Sequence, residues 1–240
     1  MSRLDQAIVL AAGAGTRLRE IVPDRPKACV AIGGERLIDR SVRLLRERGI
    51  RHVVVVTGYR AAAFGPIRGA TFVENPAWAT TGTLGSYQRG LDQVTGPHLL
   101  LEGDLLYDGA ALDRVLGEKA PRVLLASGPT GAGDEVWVET DGQRHLRGLS
   151  KDRARLASVF GELVGIHKID EPLARFLRSG DPAACYETDG LVEAAPHHAV
   201  RVHLAPDLAW GELDDQAHLR RLQDQVWPQL AARERAALGA

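Results

Sequence analysis

The sequence predicts an α/β fold, a mostly parallel sheet with helices on both faces. Three observations carry this expectation. His52 to Thr57 (HVVVVT) is a β-branched run with almost no polar alternation, as in a strand covered on both sides. Strand-like and helix-like segments alternate through the first half, the order of parallel strands joined by crossover helices. In the middle the pattern changes, and Asp141-Gly142 between two strand-like runs is a hairpin signal.

The elements follow in order. Ala7 to Gly15 is small and apolar, but Asp5 stands where a secretion signal would be basic, and only Ile8, Val9 and Leu10 are strongly apolar. A short buried strand entering a glycine loop is therefore expected. Ile32 to Gly34 reads as a strand end and turn. Leu37, Ile38, Val42, Leu44 and Leu45 recur at helical spacing, with Gly49 closing the helix. After the His52–Thr57 strand come a strand over Ala70–Val73, a helix over Leu84–Val94 and a strand over His98–Leu101. A helix over Gly109–Gly117 and a strand over Arg122–Ala126 follow, then the turn-rich loop Gly128–Asp134. Glu135–Thr140 and Gln143–Leu149 form the expected hairpin. Beyond it lie a strand over Val159–Ile169, a helix over Pro172–Arg178, a helix over Tyr186–Ala195 and a strand over Ala199–Leu204. From Asp215 the chain reads as helical, with a break at Pro228.

Composition excludes several classes. Among 240 residues, 30 Lys+Arg face 31 Asp+Glu, so neither a nucleic acid nor an anionic membrane is the expected partner. A hydrophobic share of 45% is ordinary for a globular protein and argues against disorder. No apolar run approaches the roughly 20 residues that span a bilayer. Two cysteines, Cys29 and Cys185, are too few for a disulfide framework and fit a reducing compartment, so a cytoplasmic location is expected. The basic residues are unevenly chosen: only Lys27, Lys119, Lys151 and Lys168 are lysines. The histidines show no zinc-ligand spacing, and no Gly-x-Ser-x-Gly elbow is present.

The loop after the first strand can aim backbone N–H groups at a phosphate, because glycine lets the backbone come close. It is not the dinucleotide fingerprint, which needs a glycine or alanine where Leu18 stands. Nor is it a P-loop, which needs Gly-Lys-Ser/Thr after Gly13. Asp104 follows the His98–Leu101 run through Glu102-Gly103, at the carboxyl end of a central strand, where open sheets bind ligands.

Leu10-Ala11-Ala12-Gly13-Ala14-Gly15-Thr16-Arg17-Leu18 followed by Pro26-Lys27 resembles the signature of the nucleotidyltransferases that activate sugar phosphates and small phospho-alcohols. Further segments resemble the phosphocholine and 2-aminoethylphosphonate cytidylyltransferase branch: Val56-Thr57-Gly58-Tyr59, Asn75-Pro76-Ala77-Trp78 with Thr83 and Ser86, and Gly148-Leu149-Ser150-Lys151. Gly161-Glu162-Leu163-Val164-Gly165-Ile166 and Trp210-Gly211-Glu212-Leu213-Asp214 belong to the same likeness. The chain departs from it at Thr81-Gly82-Thr83, where relatives carry larger polar groups.

The resemblance implies a Rossmann-like, glycosyltransferase-A-like fold with a mostly parallel mixed sheet. It implies one nucleotidyltransferase domain over 1–240, a β-rich acceptor-side insertion over 128–168 and a helical segment over 214–240. It implies Mg²⁺-dependent transfer of CMP from CTP to a small phosphate or phosphonate acceptor, such as phosphocholine or aminoethylphosphonate, with release of pyrophosphate. Leu10, Ala11, Ala12, Gly13, Gly15, Thr16, Gly58, Tyr59, Asn75, Thr83 and Ser86 would then hold the nucleotide. Arg17 and Lys27 would neutralise phosphate charge, and Lys151 would meet the acceptor phosphate. Asp214 would join Asp104 on the metal, although Glu102, Asp108 and Asp215 stand close enough to take either place. Tyr186, Glu187 and Asp189 would receive an acceptor ammonium, with Glu162 and Trp210 as secondary candidates. A helix start rich in acids accounts for the Glu187 segment equally well. Lys119 reads as a solvated loop charge and Lys168 as the exposed end of a strand. The partners implied are CTP or another NTP and the small acceptor, with a homodimer left open. Two alternatives remain: a sugar- or cyclitol-phosphate nucleotidyltransferase using another NTP, and a non-catalytic nucleotide-binding module.

Overall fold

A computed structural model of the chain describes residues 4–18, 22–23, 25–183 and 186–238, so Cys185 lies outside the described residues. The first strand, β1 (Gln6–Ala11), is followed by the short antiparallel pair β2 (Ala31–Ile32) and β3 (Glu35–Arg36) and by helix α1 (Leu37–Glu47). Then come β4 (His52–Thr57), β5 (Ala70–Glu74), α2 (Thr83–Leu91), β6 (His98–Glu102), β7 (Leu105–Tyr107), α3 (Ala110–Gly117) and β8 (Val123–Ser127). The second half holds β9 (Trp137–Thr140), β10 (Leu146–Ser150), β11 (Gly161–Ile169), α4 (Glu171–Arg178), α5 (Glu187–Ala194), β12 (Arg201–Ala205) and β13 (Trp210–Glu212). Helices α6 (Gln216–Arg221) and α7 (Trp227–Leu238) close the chain.

β1 pairs in parallel with β4 on one side and β6 on the other, and β4 pairs in parallel with β5. Beyond β6 lies β11, antiparallel to both β6 and β8, and β8 pairs in parallel with β12. The order β5-β4-β1-β6-β11-β8-β12 is thus a parallel sheet with one reversed strand, the mixed α/β architecture expected. Within 128–168 the β9–β10 hairpin extends this same sheet, joined through β9 to the first residues of β11, which runs through the sheet's middle.

The unbroken apolar character of β4 has a direct cause. Val53 and Val55 face one core with Ala7, Val9, Leu99 and Leu101, closed by α1 and α3. Val54 and Val56 face the other with Ile8, Leu10 and Leu100, closed by α2, α4 and α5. With both faces dry, alternation would leave polar groups unsolvated.

Two local outcomes differ from expectation. The chain does not break at Pro228. A π-helical turn over Leu222–Val226 carries α6 into α7, and Pro228 is the second residue of α7. The wider turn relieves the clash between a proline ring and the carbonyl four residues back. Lys168 is half-buried rather than extended into solvent, its ammonium donating to the Glu118 carbonyl at 2.8 Å.

β11 is also where the sheet forks. Residues 166–169 pair with β6, whereas Gly161 and Glu162 pair with β9, and the register shifts between Leu163 and His167. Gly165 sits in this shift at φ +74°, and a Cβ there would stand 2.7 Å from Glu102 Oε2. Only glycine supplies both the left-handed backbone and the space.

Candidate active site

A cleft of about 600 Å³ opens at the carboxyl ends of β1 and β6, bounded by the fork in β11 and by β13. Its floor is the glycine loop. Leu10, Ala11, Ala12 and Gly13 line it, with Gly103 N donating to Leu10 O at 2.8 Å to hold the end of β1 against the end of β6. Gly15, at φ +56°, lies against the stem of Lys27, and Thr16 and Arg17 begin the next short 3-10 turn.

Charge concentrates just beyond this loop. Lys27 Nζ lies 2.5 Å from Asp104 Oδ2 and 2.6 Å from Asp214 Oδ1. The other Asp214 oxygen takes Arg17 Nη2 at 2.8 Å, and Arg17 Nη1 reaches Asp134 at 3.6 Å. Burial works against the Lys27 charge, but the Asp104 and Asp214 carboxylates reverse this and hold the ammonium above its ordinary pKa. Burial likewise works against the Asp214 charge, and Lys27 and Arg17 outweigh it, holding that carboxyl below the usual range.

Asp104 and Asp214 therefore meet through Lys27. Their carboxylate neighbours differ. Asp104 shares a group with Glu102 and Glu212, and Asp214 shares one with Asp134 and His218, the ligand atoms of each group lying within 4.8 Å of one another. Burial, then Asp104, Glu102 and Asp214, push the Glu212 carboxyl up to about 10. Burial, followed by Glu187 and Asp104, also raises Glu102. An all-oxygen set of carboxyls crowded closely enough to oppose one another's ionisation fits a hard divalent cation. Of the neighbours that sequence left open, Glu102 is in this group, Asp215 caps α6 through His218 N, and Asp108 pairs with Arg233.

Towards the acceptor side, Lys151 lines the cleft at the end of β10 with its side chain exposed. Tyr186 also lines it, 60% exposed, and Glu187, at the start of α5, lies beneath with its Oε2 buried and unpartnered. Burial foremost pushes the Glu187 carboxyl up to about 7. Thr83 and Ser86 line the cleft from α2, and Thr83 Oγ1 accepts from Glu187 N at 3.2 Å.

Other expected site residues also have bonds within the protein; of these Glu162, Asp189 and Trp210 line the cleft, whereas Gly58, Tyr59 and Asn75 do not. Asn75 is buried away from the cleft lining, its Nδ2 donating to Thr81 Oγ1 at 3.0 Å and Ser86 Oγ at 3.1 Å. It braces the turn after β5 against α2. Gly58 and Tyr59 lie behind the loop, where Tyr59 N donates to Ala12 O at 3.0 Å and the Tyr59 ring meets Trp78 edge-on. Both Glu162 oxygens accept from Thr130, from its N at 2.6 Å and its Oγ1 at 2.8 Å, so this residue pins the Gly128–Asp134 loop. Trp210 forms wall, with Nε1 donating to Ser127 Oγ at 2.8 Å, and Asp189 accepts from Tyr186 N at 3.2 Å.

The arrangement combines a glycine loop, two cations beside it and clustered carboxylates at one sheet edge, the equipment for handling a triphosphate. A family model, the MobA-like NTP transferase domain, matches residues 7–230. The chain belongs to this family. It is 31% identical over 249 residues to the CMP-5'-(3-aminopropyl)phosphonate synthase of Streptomyces rubellomurinus, a match covering 93% of this chain and 39% of that protein. The chain thus spans about two fifths of that relative's length. It is 36% identical over 77 residues to the choline-phosphate cytidylyltransferase of Streptococcus pneumoniae, covering 31% of this chain and 34% of that one. Its fold matches the inositol-1-phosphate CTP transferase from T. maritima with a TM-score of 0.82 at 22% identity, covering 96% of each chain.

In this MobA-like NTP transferase domain, sequence reasoning missed Asp134, Arg155 and Arg221 as cleft residues. Asp134 ends a loop without periodicity, and the two arginines look like any others in an arginine-rich chain. Only the fold shows that they share the cleft.

Proposed function

We propose that the chain transfers CMP from CTP to a phosphonate or phosphate oxygen of a small, amine-bearing acceptor and releases pyrophosphate. The observation that carries this is Lys27 set between Asp104 and Asp214 beside the glycine loop. The names of the relatives matched over the chain support CTP and a phosphonate or phosphocholine-like acceptor.

The acceptor oxygen is already anionic, so the step needs no strong base. It forms a bond to the α-phosphorus while the bond to pyrophosphate breaks, and the main obstacle is bringing two anions together. Residues of the glycine loop hold the triphosphate, and Arg17 and Lys27 offset its charge. Lys151 draws in the acceptor phosphonate. Glu187, with its unpartnered oxygen, and Tyr186 receive the ammonium. Mg²⁺ on Asp104, Glu102 and Glu212, with Asp214 facing Asp104 across Lys27, would supply charge neutralisation at the phosphate oxygens. The fixed cations act where negative charge develops, which is where electrostatic catalysis is largest.

Pyrophosphate release tests this directly. The four NTPs, each with Mg²⁺, are offered with 3-aminopropylphosphonate, 2-aminoethylphosphonate, phosphocholine, inositol 1-phosphate and sugar 1-phosphates. Turnover with CTP and an amine-bearing acceptor is expected. Turnover only with sugar or cyclitol phosphates overturns the acceptor assignment, and NTP binding without turnover in any pair overturns the enzymatic one.

A further inference from the structure

Two cleft cations, Arg155 and Arg221, have no part in the reaction as described above. Arg221, the last residue of α6, lines the cleft. Its Nη1 and Nη2 donate only long bonds, at 3.5 and 3.4 Å, to the Trp210 carbonyl. Among the described residues no carboxylate oxygen lies within 4.0 Å of its guanidinium. By contrast Arg17, Arg40, Arg43 and Arg48 each hold a carboxylate at 2.6 to 2.8 Å. A guanidinium carries five N–H donors in a planar fork, so most of this one is uncommitted. Burial also pushes its pKa down, the mark of a charge short of compensation.

The backbone beside it is cut to fit. A Cβ on Gly211 would land on Arg221 Nη1 and press on Leu222 Cδ2 at 2.8 Å. Glycine at 211 is what lets the side chain pass along β13 into the cleft.

The surroundings say which end of the cleft it serves. The acids whose charge it feels are Glu162, Glu135 and Asp134, all between β8 and the first residues of β11. Lys151 belongs to the same stretch of chain. Arg17 and Lys27 instead meet Asp214 and Asp104 beside the glycine loop.

We infer that Arg221 is a second acceptor-binding cation, which with Lys151 grips the phosphonate or phosphate dianion, and that Gly211 positions it. This rests on the cytidylyltransferase reading. A planar fork binds two oxygens of such a group side by side, which a lysine cannot do. The dianion is therefore favoured over a monoanionic isostere of the same shape.

Steady-state kinetics of wild type, Arg221→Ala and Arg221→Lys with CTP and 3-aminopropylphosphonate test this, after thermal melts confirm folding. Loss of a charge-assisted contact should raise the acceptor KM by about 10–100-fold. The CTP KM should stay unchanged, and Arg221→Lys should recover part of the loss. Inhibition by 3-aminopropanesulfonate adds a readout that a merely structural role would not move. Wild type should bind phosphonate in preference to sulfonate, and Arg221→Ala should narrow that preference. An unmoved acceptor KM, a rise in the CTP KM instead, or equal losses for both anions overturns the inference and leaves the cytidylyltransferase reading standing. A wild type inactive with CTP and 3-aminopropylphosphonate, 2-aminoethylphosphonate and phosphocholine alike overturns that reading, and the inference with it; activity with another of these acceptors moves the same test to that acceptor.

Discussion

Lys27 Nζ and Asp214 Oδ1 stand 2.6 Å apart although 187 residues separate them in the chain. This pair ties the segment after the glycine loop to the segment before the last helices. The same ammonium also meets Asp104, so one lysine joins three stretches of chain at the head of the cleft.

Removing that lysine should affect two properties together. Lys27→Ala leaves the buried Asp214 and the half-buried Asp104 carboxylates without their counter-charge, which costs about 3–5 kcal/mol when a buried pair is broken. Turnover should fall by roughly 10²–10³ if the ammonium offsets developing charge. Urea denaturation and pyrophosphate release measure the two effects. Stability and rate both near wild type would remove Lys27 from the site.

Lys151 should behave differently. It is exposed and has no ion-pair partner among the described residues. Lys151→Ala should slow turnover by roughly 10²–10³ with the melting temperature unmoved. Unchanged kinetics would take it out of the mechanism.

Gly165→Ala tests the fork in β11. The substitution forces a side chain into a left-handed conformation and towards Glu102 Oε2. Strain of this kind costs about 1–3 kcal/mol, measurable by urea unfolding. Displacement of Glu102 should lower turnover as well. Wild-type stability would show that the register shift tolerates a side chain.

His167 sets a pH dependence of stability. It is buried in β11 with neither ring nitrogen hydrogen-bonded, and burial pushes its pKa down to about 4. The folded value lies below the unfolded value of about 6.5, so the unfolded chain takes up the proton first on acidification. Stability is fully present above about pH 6.5 and should decline by about 3 kcal/mol towards pH 4. Buried His98, whose pKa burial also lowers, adds in the same direction. The difference between wild type and His167→Leu isolates the His167 share. Equal pH slopes for the two proteins would exclude it.

Chelation tests the carboxylate cluster. EDTA should abolish pyrophosphate release, and added Mg²⁺ should restore it. Glu212→Gln should raise the Mg²⁺ concentration needed. Undiminished activity in EDTA would remove the metal from the proposed reaction.

Much of this protein is legible without coordinates, because its signals are local. The β4 run has no polar positions, since both faces are covered, and the glycine loop with Thr16-Arg17 and Lys27 sits within one short stretch. Asp104 follows from its place at a strand end. Other features depend on distant partners. Asn75 reads as a nucleotide contact and Glu162 as an acceptor contact, and no local pattern says that Asn75 also binds Thr81 and Ser86 or that Glu162, on the cleft wall, also holds Thr130.

The sequence by itself determined the layered α/β core, the glycine loop and which lysines and aspartates to watch. Those depend on periodicity, backbone freedom at glycine and charge along the chain. Tertiary structure alone decided that Lys27 stands between Asp104 and Asp214, that β11 forks at Gly165, and that Arg221 reaches the cleft past Gly211. These depend on which distant atoms meet, and local pattern carries no record of that.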